Sequence, residues 1–213
     1  LKVLALDVSK WNLGKDSFVS NVKSILENCT LLEAVALNCA GLVKLNDKAV
    51  SSLASALKKT RYIRDLSLNL GDCPELTNES LNKIASCVCY LEDNLIRVQL
   101  GFGNLHKIND KGLQSFVAYF KGNKLLKFLS LDFSRNINIT KQGFDWLIEG
   151  LGQINNLTEL GLDFSECPKI GKGSIKMTEY LGVIQHVDNL KASIAGFVYN
   201  LKPSTFYHTK KKV

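Results

Sequence analysis

One frame is written six times in this chain. It is clearest in Leu157–Gly173, LTELGLDFSECPKIGKG, and its nearest copy is Leu126–Gly143, LKFLSLDFSRNINITKQG; both contain Leu-Asp-Phe-Ser, at 131–134 and 162–165. The same opening returns at Leu95, Ile63, Leu32 and Leu1, so successive copies start 31, 31, 32, 31 and 31 residues apart. Spacing this regular constrains the fold more than composition does. A unit of roughly 20–50 residues cannot bury an apolar face alone, and repeated copies solve the problem by stacking.

Each copy opens with an L-x-x-L-x-L run: Leu1/Leu4/Leu6, Leu32/Val35/Leu37, Ile63/Leu66/Leu68, Leu95/Val98/Leu100, Leu126/Leu129/Leu131 and Leu157/Leu160/Leu162. The closing alternation has the two-residue period of a short strand with one face buried. So short a strand must pair with its copies on either side. A bend follows, with inward positions at Val8, Cys39, Leu70, Phe102, Phe133 and Phe164, and then at Leu45, Leu76, Ile108, Ile139 and Ile170. Phenylalanine in three consecutive copies predicts a stacked aromatic column in the core. Asn46, Thr77, Asn109 and Thr140 stand where a side-chain oxygen can cap a helix. Apolar stripes follow at helical spacing, as in Leu113/Phe116/Phe120 and Phe144/Leu147/Leu151. Gly112 and Gly143, beside the helix starts, predict a close approach there. Each unit therefore reads as strand, bend, helix and return loop.

On these residues the chain resembles the leucine-rich-repeat superfamily. The D-F-S-x-C run at Asp163–Cys167 resembles the cysteine-containing repeats of F-box proteins, and the full-length helices resemble those of ribonuclease inhibitor and of the Ran GTPase-activating protein. The resemblance implies an α/β fold: a right-handed leucine-rich-repeat solenoid (horseshoe), with parallel strands on the concave face and helices on the convex face. Residues 1–182 would form six repeats, starting near 1, 32, 63, 95, 126 and 157. Residues 183–201 would form a degenerate seventh repeat or a C-terminal cap. Val187, Leu190 and Ala192 can be set as a strand, but no clear bend follows. Residues 202–213 read as a basic tail, expected to be flexible beyond Pro203.

The formal charge is +7, yet four of those charges are lysines in the last twelve residues, KPSTFYHTKKKV. The remainder lacks the basic stripe of a nucleic-acid footprint, so nucleic acid is not the expected partner. Cys39, Cys73 and Cys167 fall where other copies carry Val, Leu, Phe, Trp or Asn, and Cys87 and Cys89 are poorly spaced for zinc. The six cysteines are therefore expected to be reduced, mostly core thiols, which implies an intracellular, cytoplasmic setting. A place in a large cytoskeletal or organellar assembly fits the same reading. No apolar run approaches the roughly 18 residues of a spanning helix, so no membrane insertion is expected. The opening LKVLALDVSK has no signal-peptide pattern and enters on a repeat's first leucine, as a fragment or processed chain would.

Chemistry-bearing patterns are sparse. His106, His186 and His208 have no Ser, Cys or acid at a pairing distance in sequence. Gly101-Phe102-Gly103 and Gly171-Lys172-Gly173 lack the rest of a phosphate loop. Asp7, Asn38, Asn69, Asp132 and Asp163 recur after the strands, either as an acidic ladder or as local backbone partners. No catalytic residue, cofactor, metal or small-molecule substrate is therefore expected.

What remains is a surface. One outward column reads Ala5, Ala36, Ser67, Gln99, Ser130, Gly161; a second reads Val3, Ala34, Asp65, Arg97, Phe128, Glu159; a third reads Lys2, Glu33, Arg64, Ile96, Lys127, Thr158. Small residues along the floor would admit a partner's backbone. Arg64, Asp65, Arg97, Gln99, Phe128 and Glu159 are the candidate protein-binding residues, since Arg and aromatic side chains are enriched among binding anchors. The expectation is a non-enzymatic protein-protein interaction scaffold or adaptor, for instance as a subunit of a large assembly. The resemblance also implies two alternatives: the substrate-recognition part of an F-box-type ubiquitin ligase, or a GTPase-activating protein like that of Ran.

Overall fold

The computed structural model describes residues 1–9 and 15–202; the basic tail from Pro203 on, with His208 and Lys210–Lys212, lies outside the described residues. Strand and helix alternate: β1 (Val3–Asp7), α1 (Lys15–Asn28), β2 (Ala34–Asn38), α2 (Asp47–Leu57), β3 (Asp65–Asn69), α3 (Asn78–Tyr90), β4 (Arg97–Gly101), α4 (Asp110–Ala118), β5 (Phe128–Asp132), α5 (Lys141–Leu151), β6 (Glu159–Phe164), α6 (Met177–Tyr180), β7 (Asn189–Ile194) and β8 (Phe197–Leu201). The strands form one sheet in chain order. β1 to β7 pair in parallel, and Val3, Ala34, Asp65, Arg97, Phe128, Glu159 and Asn189 stand opposite one another along the row.

The repeat period sets this register. The one 32-residue step falls between Asp65 and Arg97 and is absorbed on the helix side, where α3 runs to 13 residues against 11 in α2 and α5. The bends pair rung to rung as well. The amides of Cys39, Leu70, Phe102 and Phe133 donate to carbonyls of the following copy at 2.7–2.8 Å. Backbone that would otherwise be stranded in an irregular turn is thereby satisfied by its neighbour. Each bend also uses one left-handed residue: Gly41, Asp72, Asn104, Arg135 and Glu166 have φ between 56° and 77°.

The core lies between sheet and helices. Phe102, Phe133 and Phe164 stack in a column with ring centroids 5.5 Å apart, and Phe116 and Phe144 meet them edge-on. Earlier rungs fill the same place with Val8, Cys39 and Leu70, all buried. All six cysteines are free thiols. Burial pushes the Cys39 and Cys87 thiols up to about 12 and those of Cys73 and Cys167 to about 11, so none of these four is primed as a nucleophile.

The helix starts are tied together along the array. Asn46, Thr77, Asn109 and Thr140 accept amide hydrogens from their own first turns. The first residue of α2, α3 and α4 then reaches the following cap. The Asp47 carboxylate accepts from the Thr77 amide and hydroxyl and from Ser80, Asn78 bonds Asn109, and the Asp110 carboxylate accepts from the Thr140 amide and hydroxyl. Burial works to raise the pKa of Asp47, but the Ser80 and Thr77 bonds outweigh it and hold the carboxyl below its ordinary value.

This linkage explains Gly112 and Gly143. A Cβ at Gly143 would collide with Asp110 Oδ1, and one at Gly112 with Asn78 Oδ1. Gly143→Ala is expected to push Asp110 off its two bonds and lose about 1–3 kcal/mol in urea unfolding. Gly171→Ala, whose Cβ would meet nothing closer than 3.7 Å, is the control and should leave the midpoint in place.

Leu190, Ala192 and Ile194 form a full inward-facing strand edge in β7, and Ala195-Gly196 then turns the chain into β8, antiparallel to β7. A hairpin stands where the sequence shows no repeat bend. Just ahead of β7, His186 Nε2 is buried without a hydrogen-bond partner among the described residues. Burial lowers the pKa of His186, against an opposing contribution from its bond with the Ile154 backbone. The folded state therefore prefers the neutral ring. Its contribution is complete above the ordinary histidine value of about 6.5 and is lost as pH falls from there through the lowered folded value. Between pH 7 and pH 5, roughly the histidine range, the wild-type melting temperature should fall more steeply than that of His186→Leu.

Candidate protein-binding face

The sheet's outer surface is built by the strand alternation. Side chains one residue apart point to opposite sides, so the buried set Leu66, Val98 and Leu129 leaves Asp65, Arg97 and Phe128 outside. These three form a continuous row. Arg97 Nε lies 3.7 Å from Asp65 Oδ1, and the guanidinium carbon lies 4.0 Å from the Phe128 ring centroid. Asp65 and Arg97 are about half exposed, so the ion pair adds little stability. Its effect is to hold the guanidinium over the ring, an arrangement worth about 0.5–1 kcal/mol at an exposed site.

Three hollows receive the candidate residues. Asp65, Arg97 and Gln99 line a small one of ≈ 190 Å³, floored by Ala36 and Ser67. Phe128 and Glu159 line a larger trough of ≈ 510 Å³ that continues to Asp163, Lys191 and Val198. Arg64 belongs to neither. It lies at the rim where the strands begin, in a hollow of ≈ 570 Å³ with Leu31, Tyr62 and Asn94. The structure thus gathers five of the six candidate residues on the sheet and sets Arg64 apart.

The recurrent Asp and Asn residues serve the backbone. Asp7, Asn38, Asn69, Asp132 and Asp163 each accept from the amide two residues on, at 2.8–3.3 Å. At Asp7, the Ser9 bond holds the carboxyl below its ordinary value. Among the described residues no group of His, Cys, Asp or Glu comes together in a way that could hold a metal ion, and no helix is long and apolar enough to cross a membrane. His106 sits exposed in a bend, where its carbonyl accepts from Asn138 Nδ2.

The far end of the trough lies beyond the six-copy frame. Asn189, Lys191 and Ser193 extend the outward columns into a seventh strand. The signal for them is the Leu190-x-Ala192-x-Ile194 alternation together with the 30-residue step from Glu159 to Asn189.

No family model matches the chain, and no curated protein matches its sequence. Solved structures do match its shape. The structure of leiomodin-1 actin-binding site 2 superposes with a TM-score of 0.55 at 13% identity, covering 92% of each chain. The tropomodulin C-terminal domain of Caenorhabditis elegans superposes at 0.54 and 13% identity, covering 79% of this chain and 92% of that one. The chain has the leucine-rich-repeat fold. The parallel strands form an open sheet and not a closed barrel, which leaves the Asp65–Arg97–Phe128 row accessible along its whole length.

Proposed function

We propose that this leucine-rich-repeat chain is a non-enzymatic interaction scaffold or adaptor that receives a protein partner on the open face of its sheet, in an intracellular, cytoplasmic setting. The observation that carries the reading is the row in which Asp65 and Phe128 hold Arg97 between them. A long cationic side chain normally loses rotamer freedom when it binds. Here it is already placed, beside a floor of Ala36, Ser67, Gln99 and Ser130 that lets a partner come close. The leiomodin-1 structure of similar shape is described as an actin-binding site, which supports a binding role for the fold and leaves this chain's partner to experiment.

A photo-crosslinking residue at Gln99, compared with one at Lys121 on the helix side, tests the reading in an extract of the source cells. A discrete adduct is expected from position 99 alone, and Arg97→Ala or Phe128→Ala should weaken it on the order of 30-fold, as loss of a binding anchor does. Equal labelling from both positions, or adducts that both substitutions leave untouched, would refute it.

A further inference from the structure

β8 ends the sheet, and its far edge is unpaired among the described residues. The turn ahead of it fixes which backbone groups lie on that edge. Ala195 and Gly196 have φ of 49° and 87°, the two positive values that a two-residue type I′ hairpin turn demands. Such a turn makes the flanking residues, Ile194 and Phe197, exchange both of their backbone hydrogen bonds, and bonded pairs then alternate along the ladder. Ala192 with Tyr199 and Leu190 with Leu201 are the next bonded pairs. Val198 and Asn200 therefore turn their N–H and C=O groups the other way, toward the open edge.

Sheet edges usually carry a lysine, a proline or a bulge that keeps another strand from adding. β8, FVYNL, has none of these: it holds no charge and no proline, and it pairs residue for residue with β7. Its apolar side chains also lack cover. Val198 is 75% exposed on the outer face. On the inner face Phe197 is 45% exposed, although Ile194 opposite it is buried. Phe197, Tyr199 and Leu201 share that inner face by alternation, with the Phe197 and Tyr199 ring centroids 6.5 Å apart. No helix follows β8 among the described residues to close over them.

We propose that β8 pairs with β8 of a second copy of this chain, antiparallel about a two-fold axis at Tyr199, so that two eight-stranded sheets become one. On that axis Val198 stands opposite Asn200 of the second copy, and the bonded pairs of the new ladder use the groups that point to the open edge. Tyr199 meets its own counterpart in the closer, non-bonded position, and Phe197 lies against Leu201 on the same face. A second copy is the occupant because a two-fold axis sets this strand against itself, and a strand without charge meets itself without like-charge repulsion. The trough bordered by Val198 and Asn200 then continues into its counterpart across the axis, which offers one surface over both copies. The pairing does not depend on the scaffold reading, because it needs no other protein. A contact one strand wide belongs to the small, transient class of interface, with a dissociation constant on the order of 10 µM.

Sedimentation velocity of the intact chain over about 1–300 µM tests it. The expected result is a shift from monomer to dimer and no further. Asn200→Pro removes only an N–H that points to the open edge, a place where edge strands accept proline. It should leave the melting temperature of dilute protein in place and weaken the dimer by about tenfold or more. Val198→Lys, at an exposed position, sets two cations across the axis and should also hold the chain monomeric. An equal mixture of Val198→Lys and Val198→Asp should dimerise again, and this arm decides the matter where Asn200→Pro fails to fold. A wild-type chain that stays monomeric throughout would overturn the proposal. So would a folded Asn200→Pro chain that dimerises as wild type does, or a charge-swapped mixture that stays monomeric. A mass that keeps growing past the dimer, as head-to-tail pairing of β8 with β1 would give, overturns it as well.

Discussion

Phe133→Ala should destabilise the protein by about 3–5 kcal/mol, read as a shift of the urea midpoint without loss of the single transition. Phe133 is fully buried and touches Phe102 and Phe164 along the column and Phe116 edge-on. Alanine there removes one ring and three ring–ring contacts, each worth about 0.5–1.5 kcal/mol beyond the buried area. The backbone cannot close the gap, because the Phe133 amide is held at 2.7 Å by the Asp163 carbonyl and its neighbours by the parallel ladder. Phe133→Leu keeps most of the volume and should lose less than half as much. A loss under about 1 kcal/mol for alanine would mean that the column does not couple the rungs.

Asn136→Ala should come close to that effect through a different cause. Asn136 is completely buried. Its amide nitrogen donates to the Phe102 and Phe133 carbonyls at 2.8 and 2.9 Å, and its oxygen accepts from the Leu105 amide at 2.9 Å. Alanine strips a hydrogen bond from three buried backbone groups at about 1–3 kcal/mol each, for an expected loss of about 3–5 kcal/mol once the turn relaxes. The equivalent residues in other rungs indicate the partial remedy. Cys73 donates to the Cys39 carbonyl at 3.3 Å and Cys167 to the Phe133 carbonyl at 3.2 Å. Asn136→Cys should therefore recover part of the loss in the same urea titration. Equal losses for alanine and cysteine would show that packing, not hydrogen bonding, sets the requirement.

The strands, caps and aromatic column are legible in the sequence because each rests on a short-range rule repeated at fixed phase. Inward leucines recur every second residue, the cap at Asn46 or Thr140 precedes its stripe, and Phe102, Phe133 and Phe164 share one place in the frame. Rung-to-rung bonds are harder to read, since Asp47 to Thr77 and Asp110 to Thr140 lie 30 residues apart and look like ordinary first-turn acids. Gly112 and Gly143 carry the hint of them. The hairpin of β7 and β8 escapes for another reason. Its turn, Ala195-Gly196, follows hairpin chemistry and not the repeat's bend, so matching copies cannot find it. On the candidate face the columns come through, but the grouping does not. Arg64 is one residue from Asp65, yet it sits over the rim because it precedes the strand.

The buried rings are distributed unevenly, and this has a consequence for the open face. Among the described residues the six largest fully buried side chains are all phenylalanines, from Phe102 to Phe164, while Val8, Cys39 and Leu70 occupy the column before them. The column itself has a heavy half and a light half, and Asp65, Arg97 and Phe128 straddle the seam between them. A ligand gripping that row would act as a splint, lending the lighter rungs some of the rigidity of the heavier ones.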